Sequence, residues 1–217
     1  LLFPFFNHLS IIADDSNLII SADSFEDLEE KVNRALLAVN SWVGANGLKL
    51  NVGKTKLLVF TNKDRSRVSE LKVNLGGVKI EPTDQAKFLG VIIDSNLSWK
   101  NHVTALAAKV GRNAGILYKM RGLLPSKSLK CLYNSFIESH LLYCASVWGT
   151  ASQNLLKPLF SAQKKGVRAL NSKSRFFYDS KSGTIPSHTK PIFTAHKLLA
   201  LPNIITKSVL CIIQKSR

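Results

Sequence analysis

The pattern of apolar and polar positions changes character near residue 95. Before it, short apolar runs alternate with turn residues; beyond it, apolar side chains recur every three or four positions. Ile11-Ile12 and Leu18-Ile19-Ile20 flank Ala13-Asp14-Asp15-Ser16-Asn17, a pattern that predicts a β-hairpin with acid at its tip. Ser24 is followed by Glu26 and Asp27, and Leu28, Val32, Leu36, Val39 and Val43 then keep helical spacing. This predicts an amphipathic helix with a hydroxyl cap, closed at Gly44 or at Asn46-Gly47.

Leu48-Lys49-Leu50-Asn51, Leu57-Leu58-Val59-Phe60, Val78-Lys79-Ile80 and Phe88-Leu89-Gly90-Val91-Ile92-Ile93 read as short strands, with a charged loop over residues 61–70. Three helices then follow: one marked by Val103, Leu106, Val110, Ala114 and Leu117, a second by Leu129, Leu132, Phe136 and Ile137, a third by Leu156, Leu159, Phe160, Gln163 and Val167. Residues 172–190, rich in Ser, Lys and Pro, are expected to form a linker or loosely ordered arm. Residues 198–213 predict a last apolar helix with Pro202 near its start. The expected fold class is α+β, in three parts: a mixed part over 1–94, a helical part over 95–171, and an arm with a C-terminal helix over 172–217.

Composition adds a polarity to this plan. With 217 residues, 45% hydrophobic and 20% charged, the chain reads as globular. Residues 1–60 carry 5 basic and 7 acidic side chains, whereas 61–217 carry 25 and 7. Within 95–217 the only acids are Glu138 and Asp179, against 19 basic residues. Such a field suits nucleic acid or another polyanion. Cys131, Cys144 and Cys211 are odd in number and widely spaced, which argues against a disulfide framework or zinc ribbon and for a reducing compartment. No apolar run approaches membrane-spanning length, so an intracellular protein without a membrane partner, cytoplasmic or nuclear, is expected. The chain opens on Leu1 and its single methionine is Met120, so a fragment of a longer protein is expected.

Asp14-Asp15 is the leading chemical candidate. Adjacent side chains in a flat strand point to opposite faces, but a turn can present both carboxylates to one divalent ion. Set against this, Asp, Ser and Asn are ordinary turn formers. Gly53-Lys54-Thr55 suggests a phosphate-binding loop, yet the earlier glycine is out of place and a strand-like run follows where a helix is required. His140 and Cys144 have helical i, i+4 spacing but no second pair, which favours packing over metal binding.

The order of short words along the chain resembles the reverse transcriptase of non-LTR, jockey-like retrotransposons, beginning late in the palm. The words are Leu1-Leu2-Phe3, Ala13-Asp14-Asp15-Ser16, Trp42, Gly47-Leu48-Lys49-Leu50-Asn51, Lys54-Thr55-Lys56 and Phe60. They continue with Phe88 to Asp94 in sequence, Leu97-Ser98-Trp99, His102, Tyr143, Trp148-Gly149, Gln163-Lys164-Lys165-Gly166-Val167-Arg168, and Pro186-Ser187-His188 with Pro191 and Phe193. The resemblance implies a partial palm over 1–94, a basic thumb over 95–171, and template-dependent DNA synthesis with an RNA template, a DNA primer and deoxynucleoside triphosphates as partners.

It further implies that Asp14 is a metal ligand with Asp15 as its partner, in a site for two magnesium ions about 3.5 to 4 Å apart. Lys54 would lie near the primer, and Phe88-Leu89-Gly90 would be a hairpin beside the primer grip. Three departures accompany the likeness. The family's third carboxylate lies on an earlier palm strand, ahead of Leu1. Ile12 stands where relatives carry an aromatic or other large residue. Phe5-Phe6-Asn7-His8-Leu9 resembles Tyr-Ile-Asn-Asp-Leu yet runs almost directly into the hairpin, as a deletion would leave it. The two-ion site is therefore expected to be incomplete and the chain inactive by itself. Two alternatives stand beside this reading: a non-enzymatic basic module that binds nucleic acid, and an inactive transposon relic.

Overall fold

The apolar runs around the acidic pair form the expected hairpin: β1 (His8–Ile12) pairs antiparallel with β2 (Asp15–Ile19), from His8 opposite Ile19 to Ile12 opposite Asp15. The computed structural model describes residues 8–12, 15–171, 176–179, 183–186 and 188–216. These residues form an α+β fold that divides into two compact units, one of Leu1–Ala86 with Asp94–Asn96, the other of Lys87–Ile93 with Leu97–Arg217.

In the first unit, α1 (Phe25–Ala45) starts where Ser24 Oγ accepts the Asp27 amide at 3.1 Å, the cap its sequence called for. Its apolar face, with Phe25 and Val32 buried, packs on Val59, Val68, Leu71, Val73, Leu75 and Ile80. The last three belong to β3 (Val73–Leu75) and β4 (Val78–Ile80), an antiparallel pair. Asn33 joins helix to strand by donating to the Lys72 carbonyl at 2.8 Å and accepting from the Asn74 amide at 2.9 Å.

Two of the strands expected here are absent. Around residue 51 the chain instead makes a 3-10 turn, Val52–Lys54, because Asn51 Oδ1 accepts from the Lys54 amide and Thr55 Oγ1 donates to the Asn51 carbonyl. Such local side-chain bonds compete with a sheet ladder. Leu57 keeps only an isolated bridge to Pro82. The charged loop contains a second 3-10 helix, Arg65–Glu70, with Asp64 accepting the Ser66 amide.

The single strand expected over residues 88–93 is a hairpin, β5 (Gln85–Phe88) and β6 (Val91–Asp94), turned at Leu89 and Gly90. Both turn residues have positive φ, 45° and 84°, the geometry of a tight two-residue hairpin turn.

The core of the second unit lies between α2 (Lys100–Met120) and α6 (Gln153–Ala169). All five apolar positions expected to mark α2 are buried, as are Leu156, Leu159, Gln163 and Val167 of α6. Between them run α3 (Ser126–Tyr133), a π turn at Asn134–Glu138, α4 (Ser139–Leu142) and α5 (Ala145–Trp148). Leu129, Tyr133, Ile137 and Leu141 form the buried stripe. A strict spacing of four drifts around an α-helix of 3.6 residues per turn, and the wider π turn holds the stripe on the core. That is why Phe136, expected inside, is 42% exposed. The chain continues through β7 (Phe176–Asp179) and β8 (Gly183–Pro186), an antiparallel pair, to α7 (Lys190–Ala195) and α8 (Leu201–Lys215), with Pro202 in its first turn.

Candidate functional site

The candidates are shared between the two units. Asp14 lies outside the described residues. Asp15 opens β2 opposite Ile12, at the point where the hairpin turns. Lys54 closes the 3-10 turn, and its side chain is exposed. Phe88, Leu89 and Gly90 form the tip of the β5–β6 hairpin in the second unit, with Phe88 half-buried and Leu89 and Gly90 exposed. No group of three or more carboxylate, histidine or cysteine side chains placed to hold a metal ion occurs among the described residues.

The hairpin tip is tied down. Tyr143 Oη donates to the Leu89 carbonyl at 2.6 Å, and the Tyr143 ring stands where a side chain on Gly90 would meet it at 3.8 Å. Tyr143 is itself held, since its carbonyl accepts the Trp148 indole N–H at 2.7 Å and Trp148 is fully buried. Between them Cys144 takes φ 51°, which breaks the helix and turns the chain from α4 into α5. His140 and Cys144 therefore share no continuous helical face, and the pair suggested by their spacing does not form.

At the base of the same hairpin His102 is buried, and its Nδ1 accepts the Ile92 amide at 3.3 Å. Burial holds its pKa below the ordinary histidine range. A neutral ring is also what the hydrogen bond needs, because a protonated Nδ1 cannot accept.

Gln163 ties the helical unit together. Fully buried, it donates to Tyr133 Oη at 3.1 Å and to the Leu199 carbonyl at 2.9 Å, and accepts the Leu201 amide at 2.9 Å. Burial also raises the Tyr133 phenol above its ordinary pKa, so it stays protonated. Three residues on, Gly166 leaves room for Ile137 Cδ1, where a methyl group would collide.

Several curated proteins align with three quarters of the chain. The "Probable RNA-directed DNA polymerase from transposon BS" of Drosophila melanogaster is 26% identical over 168 residues, 75% of this chain and 18% of that protein. The "RNA-directed DNA polymerase from mobile element jockey" of Drosophila funebris is 24% identical over 169 residues, and the "Probable RNA-directed DNA polymerase from transposon X-element" of Drosophila melanogaster 25% over 166, with the same two shares. The chain is similar to RNA-directed DNA polymerases of jockey-like and other non-LTR retrotransposons. It spans less than a fifth of the length of the curated relatives it matches. No family model matches, and no solved structure matches.

The words that carried the resemblance thus acquire physical duties in the second unit. Trp148 and Tyr143 anchor the Phe88-Leu89-Gly90 tip, His102 accepts a β6 amide, and Gln163 and Gly166 make the α6 packing. A further link lay hidden from the sequence. Arg65 donates to the Ser95 carbonyl at 3.1 Å and to Asn96 Oδ1 at 2.7 Å, within the first unit, and its place in a charged loop gave no sign of that. Among the described residues no helix is long and apolar enough to cross a membrane.

Proposed function

We propose that this chain is the late palm, thumb and following region of a retrotransposon RNA-directed DNA polymerase, working within a longer protein. Residues 1–94 are read as part of the palm, 95–171 as a basic thumb, and 172–217 as an arm with a closing helix. The observation that carries the reading is the match of three quarters of the chain to polymerases of this kind. The antiparallel pairing of His8–Ile12 with Asp15–Ile19, whose strands flank the acidic word, supports it.

Carboxylate oxygens suit magnesium, a hard cation. Asp14 and Asp15 would hold it, and two carboxylates would supply part of a two-ion site. Bound there, magnesium would supply activation of the primer 3′-hydroxyl and stabilisation of the triphosphate charge. Phe88, Leu89 and Gly90, on a tip pinned by Tyr143, would position the primer, and Lys54 would lie near it. Helices of the second unit would hold template and primer through phosphate contacts, which carry affinity without reading sequence. The setting is intracellular, with an RNA template, a DNA primer and deoxynucleoside triphosphates as partners.

The test is primer extension on RNA by a protein in which the upstream polymerase segment of the transposon BS relative precedes this chain. Extension abolished by Asp14→Asn supports the reading; extension indifferent to it removes Asp14 from the site.

The excess of 25 basic over 7 acidic side chains in residues 61–217 favours a second reading, a binding module without catalysis. It predicts binding that falls steeply with salt but ignores magnesium and Asp14→Asn. Magnesium-dependent binding abolished by Asp14→Asn would contradict it.

A further inference from the structure

A pocket of about 650 Å³ opens in the second unit between α6, α7 and the start of α8. Three lysines line it, Lys164, Lys190 and Lys197, and among the described residues its lining contains no carboxylate. The rest of the wall is largely apolar, with Phe160, buried Phe193 and the Leu198–Ala200 stretch. Its volume falls among pockets that enclose small ligands, about 300 to 1,000 Å³.

The wall is preorganised. Gln163, buried behind it, holds the Leu199 carbonyl and the Leu201 amide, so the backbone between them has fixed partners on the core side. Lys164 Nζ rests 4.1 Å from the centre of the Phe160 ring, which sets a cation beside an aromatic surface. Positive charge beside a half-buried aromatic ring suits one nucleotide of a flexible strand: ammonium groups for its phosphate, an apolar wall for its base. A duplex, its bases stacked inside, offers the pocket only the phosphate.

We infer that this pocket binds single-stranded nucleic acid, taking one nucleotide with its phosphodiester on Lys164, Lys190 and Lys197 and its base against Phe160 and the neighbouring apolar wall. The inference rests on the nucleic-acid-binding part of the reading above and is independent of whether Asp14 is catalytic. It adds a strand contact formed by α6, α7 and the lead into α8, apart from the Asp14-Asp15 hairpin and the Phe88-Leu89-Gly90 tip.

The test uses the full chain and a labelled single-stranded oligonucleotide of about 12 nucleotides, in RNA and DNA forms, with a duplex of equal length. Binding is followed by fluorescence anisotropy between about 50 and 200 mM salt. The triple variant K164Q/K190Q/K197Q is compared with K49Q/K56Q/K72Q, which removes equal charge from exposed positions of the first unit. Losing the grip on that one phosphodiester should make the slope of log affinity against log salt shallower by about 0.7, the value for one phosphate of a single strand. The control triple should change it less. Phe160→Leu should weaken single-strand binding about fivefold or more with the slope unchanged, since base stacking contributes without counterions.

The inference is overturned by a slope change no larger than the control's, by an equal loss for duplex and single strand on Phe160→Leu, or by a parent chain that binds no oligonucleotide. It is also overturned if the pocket triple abolishes binding to phosphatidylserine vesicles while leaving oligonucleotide binding intact. None of these results bears on primer extension, which decides the catalytic reading separately.

Discussion

Tyr143 Oη reaches 2.6 Å to the carbonyl of Leu89, a residue 54 positions earlier that holds a left-handed conformation at φ 45°. Leucine is a poor choice for that backbone, since its Cβ crowds the following carbonyl at a cost of about 1–2 kcal/mol. The tyrosine bond and the adjoining glycine, at φ 84°, together keep the turn closed. Tyr143→Phe should therefore loosen the tip by about 1 kcal/mol, read as faster hydrogen exchange confined to the amides around residues 89–91. Leu89→Asn should do the reverse, because asparagine tolerates the left-handed region, and should slow the same amides.

That turn also shows where the sequence was and was not readable. By its pattern Phe88 to Ile93 looked like one strand because Leu89 is apolar and no turn former; Gly90, and the resemblance that put a hairpin at Phe88-Leu89-Gly90, were the hints of the reversal. The helices of the second unit were plain because burial there follows a helical period, as at Val103, Leu106, Val110, Ala114 and Leu117. Phe136 misled because a π turn altered the period, a choice made by tertiary packing. The run at Leu57 was apolar enough for a strand but found only a single bridge. Of the candidate site, the residue types at Asp14 and Asp15 were readable from sequence, whereas the tether from Tyr143 needed a fold to bring residues 89 and 143 together.

Glycines in the helical unit divide into two kinds with opposite expected responses. A methyl at Gly166 would collide with Ile137 Cδ1, so Gly166→Ala should destabilise the second unit by about 1–3 kcal/mol despite the better helix former. Gly111 and Gly115 on α2 face open space, so Gly111→Ala should add up to about 1 kcal/mol. Urea unfolding followed by circular dichroism measures both, and equal responses would contradict the packing described for α6.

Gln163 carries three polar partners through the core. Gln163→Met fills the volume but strands Tyr133 Oη, the Leu199 carbonyl and the Leu201 amide, which should cost about 2–3 kcal/mol. The loss should appear as a lower urea midpoint with an unchanged slope.

Acid should weaken the second unit. Burial depresses the pKa of His102, His140 and His196, with Lys109 adding to the effect at His140 and Lys130 at His196. Between those depressed values and about 6.5 the unfolded chain binds more protons, so stability is full above about 6.5 and falls as pH drops through the folded-state values. Glu138 works in the opposite sense, because burial raises its pKa and the folded state gains a proton sooner. His102→Asn keeps an acceptor for the Ile92 amide without titrating, so its stability should fall less between pH 7 and pH 5.5 than the parent's; equal slopes would remove His102 from the account.

The proposed role of Asp14 and Asp15 is as ligands of a metal-dependent polymerase site within a longer protein. The most direct measurement is the initial rate of primer extension on RNA by the joined protein, parent against Asp14→Asn, at nucleic-acid concentrations that saturate both. Loss of a metal-ligating carboxylate should lower the rate by a factor of about 100 or more, equivalent to about 3 kcal/mol of transition-state stabilisation, with template affinity unchanged. Extension at the parent's rate by Asp14→Asn would contradict it.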